Sequence, residues 1–322
     1  MSQASPVHSL SSPADRSPFV PRDPEFGAVL GDAPRLARVI STDAHEGPVY
    51  AADEDALYFT SLPRRTDVPV PGRPVVAIRR LALDGDRFPL DSRRVTTVRR
   101  DAAAANGMAL DRDGRLVVCE QGSRSRRARI AHAVPPETIV DSWRGLPLNS
   151  PNDVVVKSDG TIWFTDPSYG HVQGFRPKPA LGDHVYRHDP VSGSTTAVAV
   201  GFDKPNGLCF SPGERVLYVS DNGAPQELLA FDVLHDEHLA TRRTVFSSPS
   251  PGHPDGLKAD SAGRIYASFA GGIQVISPRG RLLGEIRLPG AVNFCFGGAA
   301  RNTLFITTDD AIWAASLAAS GA

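Results

Sequence analysis

The chain has 322 residues, 41% of them hydrophobic and 22% charged, with 35 Lys and Arg against 36 Asp and Glu. This is the composition of a globular protein able to bury a sizeable core, and the near-even charge excludes the basic surplus that a nucleic-acid binder needs to displace counterions. No apolar run reaches the eighteen or so residues of a membrane span, so the partner expected is a small molecule rather than a nucleic acid or a membrane.

Taken in chain order, the segment from Met1 to about Phe26 is rich in Ser and Pro and lacks the basic-then-apolar order of a signal peptide. It buries too little apolar surface to offset its ordering entropy, which predicts a mobile tail over 1–26 and one folded domain over 27–322. From residue 46 onward one pattern recurs: an Asn, Asp or Glu, a short apolar segment, a turn rich in Asp, Gly or Ser, then an apolar run with strand character. The copies are EGPVYAADEDALYFTS, NGMALDRDGRLVVCEQ, NDVVVKSDGTIWFTDP, NGLCFSPGERVLYVSD, DGLKADSAGRIYASFA and NFCFGGAARNTLFITT, led by Glu46, Asn106, Asn152, Asn206, Asp255 and Asn293. The step from lead residue to second run agrees to within one residue in all six copies, and the leads recur every 38 to 60 residues, the length of a propeller blade.

The runs LYFTS, LVVCE, IWFTD, LYVSD, IYASF and LFITT are aromatic and β-branched, and the turns before them suit tight hairpins. With the strand-like pieces that follow, each copy predicts a four-stranded blade and the whole an all-β, six-bladed propeller. The last copy leaves room for about three strands, so LARVIST, just before Glu46, is expected to supply the fourth and close the ring. The segment between Arg64 and Pro74 and the basic run Arg124, Arg126, Arg127 and Arg129 belong on loops or hairpin ends, the latter as a solvated charge run. Cys119, Cys209 and Cys295 are odd in number, lie in apolar stretches and lack C-x-x-C spacing, which predicts buried free thiols and suits a reducing cytoplasm.

Equivalent positions of a propeller surround its axis, so the six leads converge on the central channel. Their side chains are all carboxylate or carboxamide, a donor set for one hard divalent cation, with calcium favoured over zinc because no Cys or His leads a copy. Manganese and magnesium stay open beside them. The competing explanation is that NG, ND and DG pairs repeat as turn formers, against which Glu46 stands as a poor turn residue. Taken singly, Asn106 and Asn293 have a supporting role at least as much as a ligand role.

On EGPVY, NSPNDVVVKSDGTIWFTDPSYG, DKPNGLCFSP, HPDGLKAD and VNFCFGGAARNTLFITT, the chain resembles the SMP-30/gluconolactonase family over roughly residues 40 to 315. The resemblance implies a six-bladed propeller holding one divalent cation through Glu46, Asn206 and Asp255, with Asn152 as a metal or substrate contact. It also implies that Asp255 doubles as general base in lactone hydrolysis. Animal members carry an Arg where this chain has Ser150, a difference that bears on the sugar-lactone substrate. Asn106, Ser150, Asp153, Tyr169 and His253 complete the expected substrate contacts, Asp153 and Asp221 are weaker candidates for the base, and Asp166 and Asp221 are expected to be structural. No G-x-S-x-G or Cys/His arrangement supports a covalent nucleophile. A phosphotriesterase or other esterase, a specialised-metabolism enzyme and a calcium- or ligand-binding protein without turnover remain the alternatives.

Overall fold

The computed structural model describes residues 17–65, 74–235, 238–248 and 252–322. Within them lie six antiparallel sheets of four strands each, one carrying an added fifth strand, arranged as the blades of a propeller. The innermost strands are Val49–Ala51, Ala105–Leu110, Val154–Val156, Pro205–Phe210, Leu257–Ala259 and Phe294–Gly297. Each packs on the next, and the sixth packs on the first, so the ring is closed. The aromatic and β-branched runs form the second strands, Ala56–Thr60, Leu116–Glu120, Ile162–Asp166, Val216–Asp221, Ile265–Phe269 and Thr303–Thr307. Their alternating side chains fill the space between adjacent blades. Trp163 of the third blade, for example, meets Phe210 of the fourth edge-on with ring centroids 5.3 Å apart.

Closure occurs where the sequence places it. Arg35–Ala44 is the outer strand of the sixth blade and pairs with Asp309–Ser316, from Arg35 opposite Ser316 to Ala44 opposite Asp309. The two ends of the chain thus complete one sheet, with the N-terminal strand outermost and Phe294–Gly297 innermost.

The domain starts earlier than the composition predicts. Phe19–Pro21 forms the fifth strand on the outer edge of the fifth blade, with Phe19 opposite Ile286 and Pro21 opposite Gly284. Asp23 then caps a short 3₁₀ turn by accepting the Glu25 amide at 2.9 Å, and Phe26 is wholly buried against Gly284. Segment-averaged composition hid two aromatic anchors, and an edge strand tolerates Pro21 because its missing N–H faces outward. The remainder of the expected tail, residues 1–16, lies outside the described residues.

Two features join neighbouring blades at the axis. Hydroxyls at the fourth position of several of the aromatic runs reach the backbone at or one residue before the next blade's lead: Thr165 donates to the Asn206 carbonyl at 2.7 Å, Ser220 to Asp255 at 2.9 Å and Thr307 to His45 at 2.6 Å. The glycines after the leads allow the blades to approach closely. A Cβ on Gly207 would lie 2.3 Å from the Asp255 carbonyl oxygen, and one on Gly256 would lie 2.3 Å from Asn293 Oδ1. Neither glycine has a positive φ, so these NG and DG pairs repeat because the axis is crowded and not because they make left-handed turns.

Candidate active site

Because each lead residue stands at the entry to an innermost strand, its side chain faces one mouth of the central channel. There the structure brings Glu46, Asn106, Asn152, Tyr169, Asn206 and Asp255 into the wall of one cavity of about 260 Å³. Glu46, Asn152 and Asn206 are each only 5% exposed, while Asn106, Tyr169 and Asp255 are half-buried.

Few of these polar atoms are satisfied by the protein. Asn293, the sixth lead, donates its amide to Glu46 Oε2 at 2.8 Å and accepts the Phe294 amide at 2.7 Å, which makes it a brace for Glu46 outside the cavity wall. Asn206 donates to the Tyr169 hydroxyl at 3.3 Å. Asn106 Oδ1 and Asp255 Oδ1 are shielded from solvent and have no hydrogen-bond partner. Such atoms carry an uncompensated desolvation cost unless a ligand meets them.

The carboxylates respond accordingly. Burial raises the Asp255 pKa well above the usual range, the Glu46 and Asp153 carboxylates raise it further, and a hydrogen bond from Asn206 opposes them. Burial also raises Glu46, offset in part by His45 and by the Asn293 hydrogen bond. Without a cation, two acids facing one cavity favour protonation. With one, both would be held ionised.

Three sequence-expected contacts fall outside the wall of this cavity. Ser150 is fully buried, donates to the Pro167 carbonyl at 2.6 Å and accepts the Gly170 amide at 2.9 Å, so both its polar roles are taken by the backbone. Asp153 is 3% exposed; its Oδ1 accepts the Val154 amide at 2.9 Å, while its Oδ2 is buried without a partner. Burial raises its pKa against the pull of Lys258. His253 is exposed and donates from Nδ1 to the Asn222 carbonyl at 2.9 Å. Of the two other carboxylates at strand ends, Asp166 accepts the Asn149 and Ser150 amides, each at 2.8 Å, although burial pushes its pKa up to about 7. Asp221 accepts the Asp203 and Lys204 amides at 3.0 and 2.8 Å. Both tie loops to strands.

The two segments expected on loops or hairpin ends are described in part. Arg64–Arg65 pairs with Pro74–Val75 in a short ribbon, and Pro63 and Pro74 reach the cavity wall, while residues 66–73 lie outside the described residues. In the basic run, Arg126 pairs with Asp101 at 3.1 Å, Arg127 with Asp141 at 3.3 Å and Arg129 with Glu120 at 2.7 Å. Arg124, Arg126 and Arg127 are exposed, as expected of a solvated run, whereas Arg129 stands half-buried on the strand Arg129–His132 against the buried Glu120.

The cavity has members that the lead positions do not reveal: His45, Gln121, Gln173, Phe175 and Asn222. His45 donates from Nδ1 to Asp309 Oδ1 at 2.6 Å. Gln121 and Asn222 stand one residue past LVVCE and LYVSD, at equivalent places in two copies of the repeat, a signal present in the alignment of the copies.

The donor set fits a hard cation. Glu46, Asn152, Asn206 and Asp255 offer side-chain oxygens, and the shielded, unpartnered Asp255 Oδ1 is the atom such an ion would satisfy. Among the described residues no three His, Cys, Asp or Glu side chains converge as a metal site. The arrangement here is two carboxylates completed by carboxamides, which suits calcium and does not suit a zinc site of His or Cys.

A family model described as the SMP-30/Gluconolactonase/LRE-like region matches residues 44–310. A gluconolactonase of Zymomonas mobilis is 30% identical, covering 88% of this chain and 82% of the relative. A pentonolactonase of Haloferax volcanii is 29% identical over 85% of this chain and 84% of its own length. Among solved structures, a gluconolactonase of Xanthomonas campestris superposes with a TM-score of 0.78 at 34% identity, covering 96% of this chain and 98% of that one.

Proposed function

This chain belongs to the SMP-30/gluconolactonase/LRE-like family, and from that premise we propose that its cavity is the active site of a lactone hydrolase working with one divalent cation, calcium by preference. The observation that carries the reading is the pairing of Glu46 and Asp255 in one cavity, both with raised pKa values and one with an unpartnered shielded oxygen. Glu46, Asn152, Asn206 and Asp255 are the residues that would hold the ion. When bound, a hard divalent cation supplies Lewis-acid polarisation of the lactone carbonyl and favours the negative charge that develops on its oxygen.

The remaining work falls to the chain's own groups. Asp255 accepts a proton from the attacking water as its oxygen bonds to the carbonyl carbon. The ring C–O bond then breaks, Asp255 returns its proton to the leaving oxygen, which becomes the free hydroxyl of the product, and the second water proton is released as the water oxygen stays in the new carboxylate. Asn106, Gln121, Tyr169 and Asn222, on the cavity wall, are placed to hydrogen-bond the ring substituents. Cys209 and Cys295 take no part as nucleophiles, because burial pushes their thiol pKa values up to about 12 and keeps them protonated.

The test is proton release from a panel of lactones, glucono-δ-lactone and pentonolactones among them, with phosphotriesters and simple esters alongside, before and after chelation. Calcium-restored release from a lactone supports the proposal. Turnover confined to phosphotriesters or simple esters replaces the substrate class, and no turnover on any substrate leaves a binding protein.

A further inference from the structure

Between the second and third strands of the third blade the chain leaves the sheet, makes one helical turn over Tyr169–Val172 and runs on past Phe175 before returning to the strand His184–Asp189. This excursion supplies Tyr169, Gln173 and Phe175 to the cavity wall. It is held at its start by Ser150, which accepts the Gly170 amide at 2.9 Å, and near its end by Asn149, which donates to the Gly182 carbonyl at 3.1 Å. Between these ties it is held by Arg176, whose side chain is buried, 7% exposed. Its Nε donates to the Asn149 carbonyl at 2.9 Å, one terminal nitrogen donates to Ser123 at 2.8 Å and Arg126 at 2.9 Å, and the other donates to Leu148 at 2.9 Å. Four main-chain carbonyls from two separate segments are thus gathered by one guanidinium.

Among the described residues no carboxylate lies in ion-pair contact with Arg176, and burial lowers its pKa against the longer-range pull of Asp166. A buried cation satisfied only by neutral carbonyls is a costly way to stabilise a fold, whereas the planar fork of Arg fixes geometry well. The excursion is folded tightly onto this side chain. The amides of Phe175 and Arg176 both donate to the Gly170 carbonyl, at 3.0 and 2.9 Å, and a Cβ on Gly170 would lie 2.3 Å from Arg176 Cγ.

We infer that Arg176 is a positioning residue for substrate binding: by tying the 123–126 loop and the 148–149 segment to the excursion, it sets where Tyr169, Gln173 and Phe175 stand around the substrate. The inference rests on the cavity being the substrate site, and it predicts an effect on binding more than on the chemical step, since Arg176 does not line the cavity.

The experiment compares wild type with Arg176→Gln and Arg176→Lys, using glucono-δ-lactone as probe and amide hydrogen exchange on the same proteins. Arg176→Gln should raise KM by about tenfold or more while kcat changes less than about threefold, the pattern of lost positioning without lost transition-state chemistry. Arg176→Lys should recover part of the KM, and exchange should accelerate in the excursion and the 123–126 loop but not in the blades. Wild-type KM in Arg176→Gln, a fall in kcat at unchanged KM, or acceleration spread evenly over the molecule would each overturn the inference. Should Arg176→Gln not fold, Gly170→Ala displaces the same side chain and must give the same KM rise and local exchange. Wild-type turnover tests the lactonase reading. If the probe is not turned over, exchange alone decides the positioning role, and protection of the excursion unchanged in the variant overturns it.

Discussion

The two mouths of the central channel are built from the same innermost strands and differ in almost every chemical respect. At one mouth stand Glu46, Asn106, Asn152, Asn206 and Asp255. At the other, a cavity of about 210 Å³ is lined by Val49, Met108, Leu208, Cys209, Lys258 and Cys295 among others. A few residues along each strand carry the chain from oxygen donors to thiols and aliphatic groups. Asp153 links the two electrostatically: it raises the pKa of Asp255 and Glu46 on one side, and on the other Lys258 opposes the rise that burial imposes on Asp153 itself. The propeller supplies convergence at both ends, and among the described residues the shielded, unpartnered oxygens of Asn106 and Asp255 line the first cavity, where a ligand can satisfy them. If that contrast is the basis of function, substitutions at the two mouths should fail in different ways.

The largest effect is expected at Asp255. Asp255→Asn keeps the shape and one oxygen donor but cannot accept a proton, so at saturating calcium, hydrolysis should fall by about a hundredfold or more with the circular dichroism spectrum unchanged. Asn206→Ala removes a neutral donor and should regain much of its activity as calcium is raised. Near wild-type turnover in Asp255→Asn would move the base to Asp153 and dissolve the contrast between the mouths.

Next in size is the response to metal itself. An ion that binds only the folded chain must stabilise it, by about 2.7 kcal/mol when free calcium is a hundred times Kd. Calorimetry should therefore show Tm rising with calcium and falling back on chelation, and Glu46→Gln should shift the response to higher calcium. A Tm indifferent to calcium in the wild type would remove the metal from the proposal.

A smaller effect belongs to the far mouth. Cys295→Ala deletes one buried sulfur from a packed position, which should cost about 1 kcal/mol in urea unfolding. Turnover should remain within about twofold of wild type. A collapse of activity with the fold intact would mean that the channel works along its whole length.

These contrasts were unequally visible in the sequence. The blades were legible because each depends on a local pattern, a hairpin with period-two strands, repeated often enough to reveal its own spacing. The lead residues followed from that spacing, and five of the six face one cavity, with Asn293 turned to brace Glu46. What the sequence hid depends on contacts between distant segments. Ser150 sits two residues before Asn152 yet points at Pro167 and Gly170, because the excursion after Asp166 folds back over it. The anchoring of Phe19 and Phe26 on the fifth blade pairs residues more than 250 positions apart. The hydroxyls of Thr165, Ser220 and Thr307 lay in plain view at the fourth position of their runs, but their purpose appears only once blades are neighbours.

The smallest expected effect concerns His253, which sequence order places beside Asp255 and the structure places at the rim. Its ring is exposed and its one defined bond is to the Asn222 carbonyl, an acceptor that water can satisfy when the imidazole is removed. Asn222 lies on the cavity wall, so the loss is transmitted only through the freedom its backbone gains. An exposed substitution of this kind is worth about 0.5 kcal/mol or less, which is about twofold in kcat/KM. His253→Ala should accordingly leave hydrolysis of the panel's best lactone within that range, and its calcium response should match wild type. A tenfold loss confined to KM would instead show that substrate extends over the rim to the imidazole, and the wall of the site would have to be redrawn to include the segment leading into Asp255.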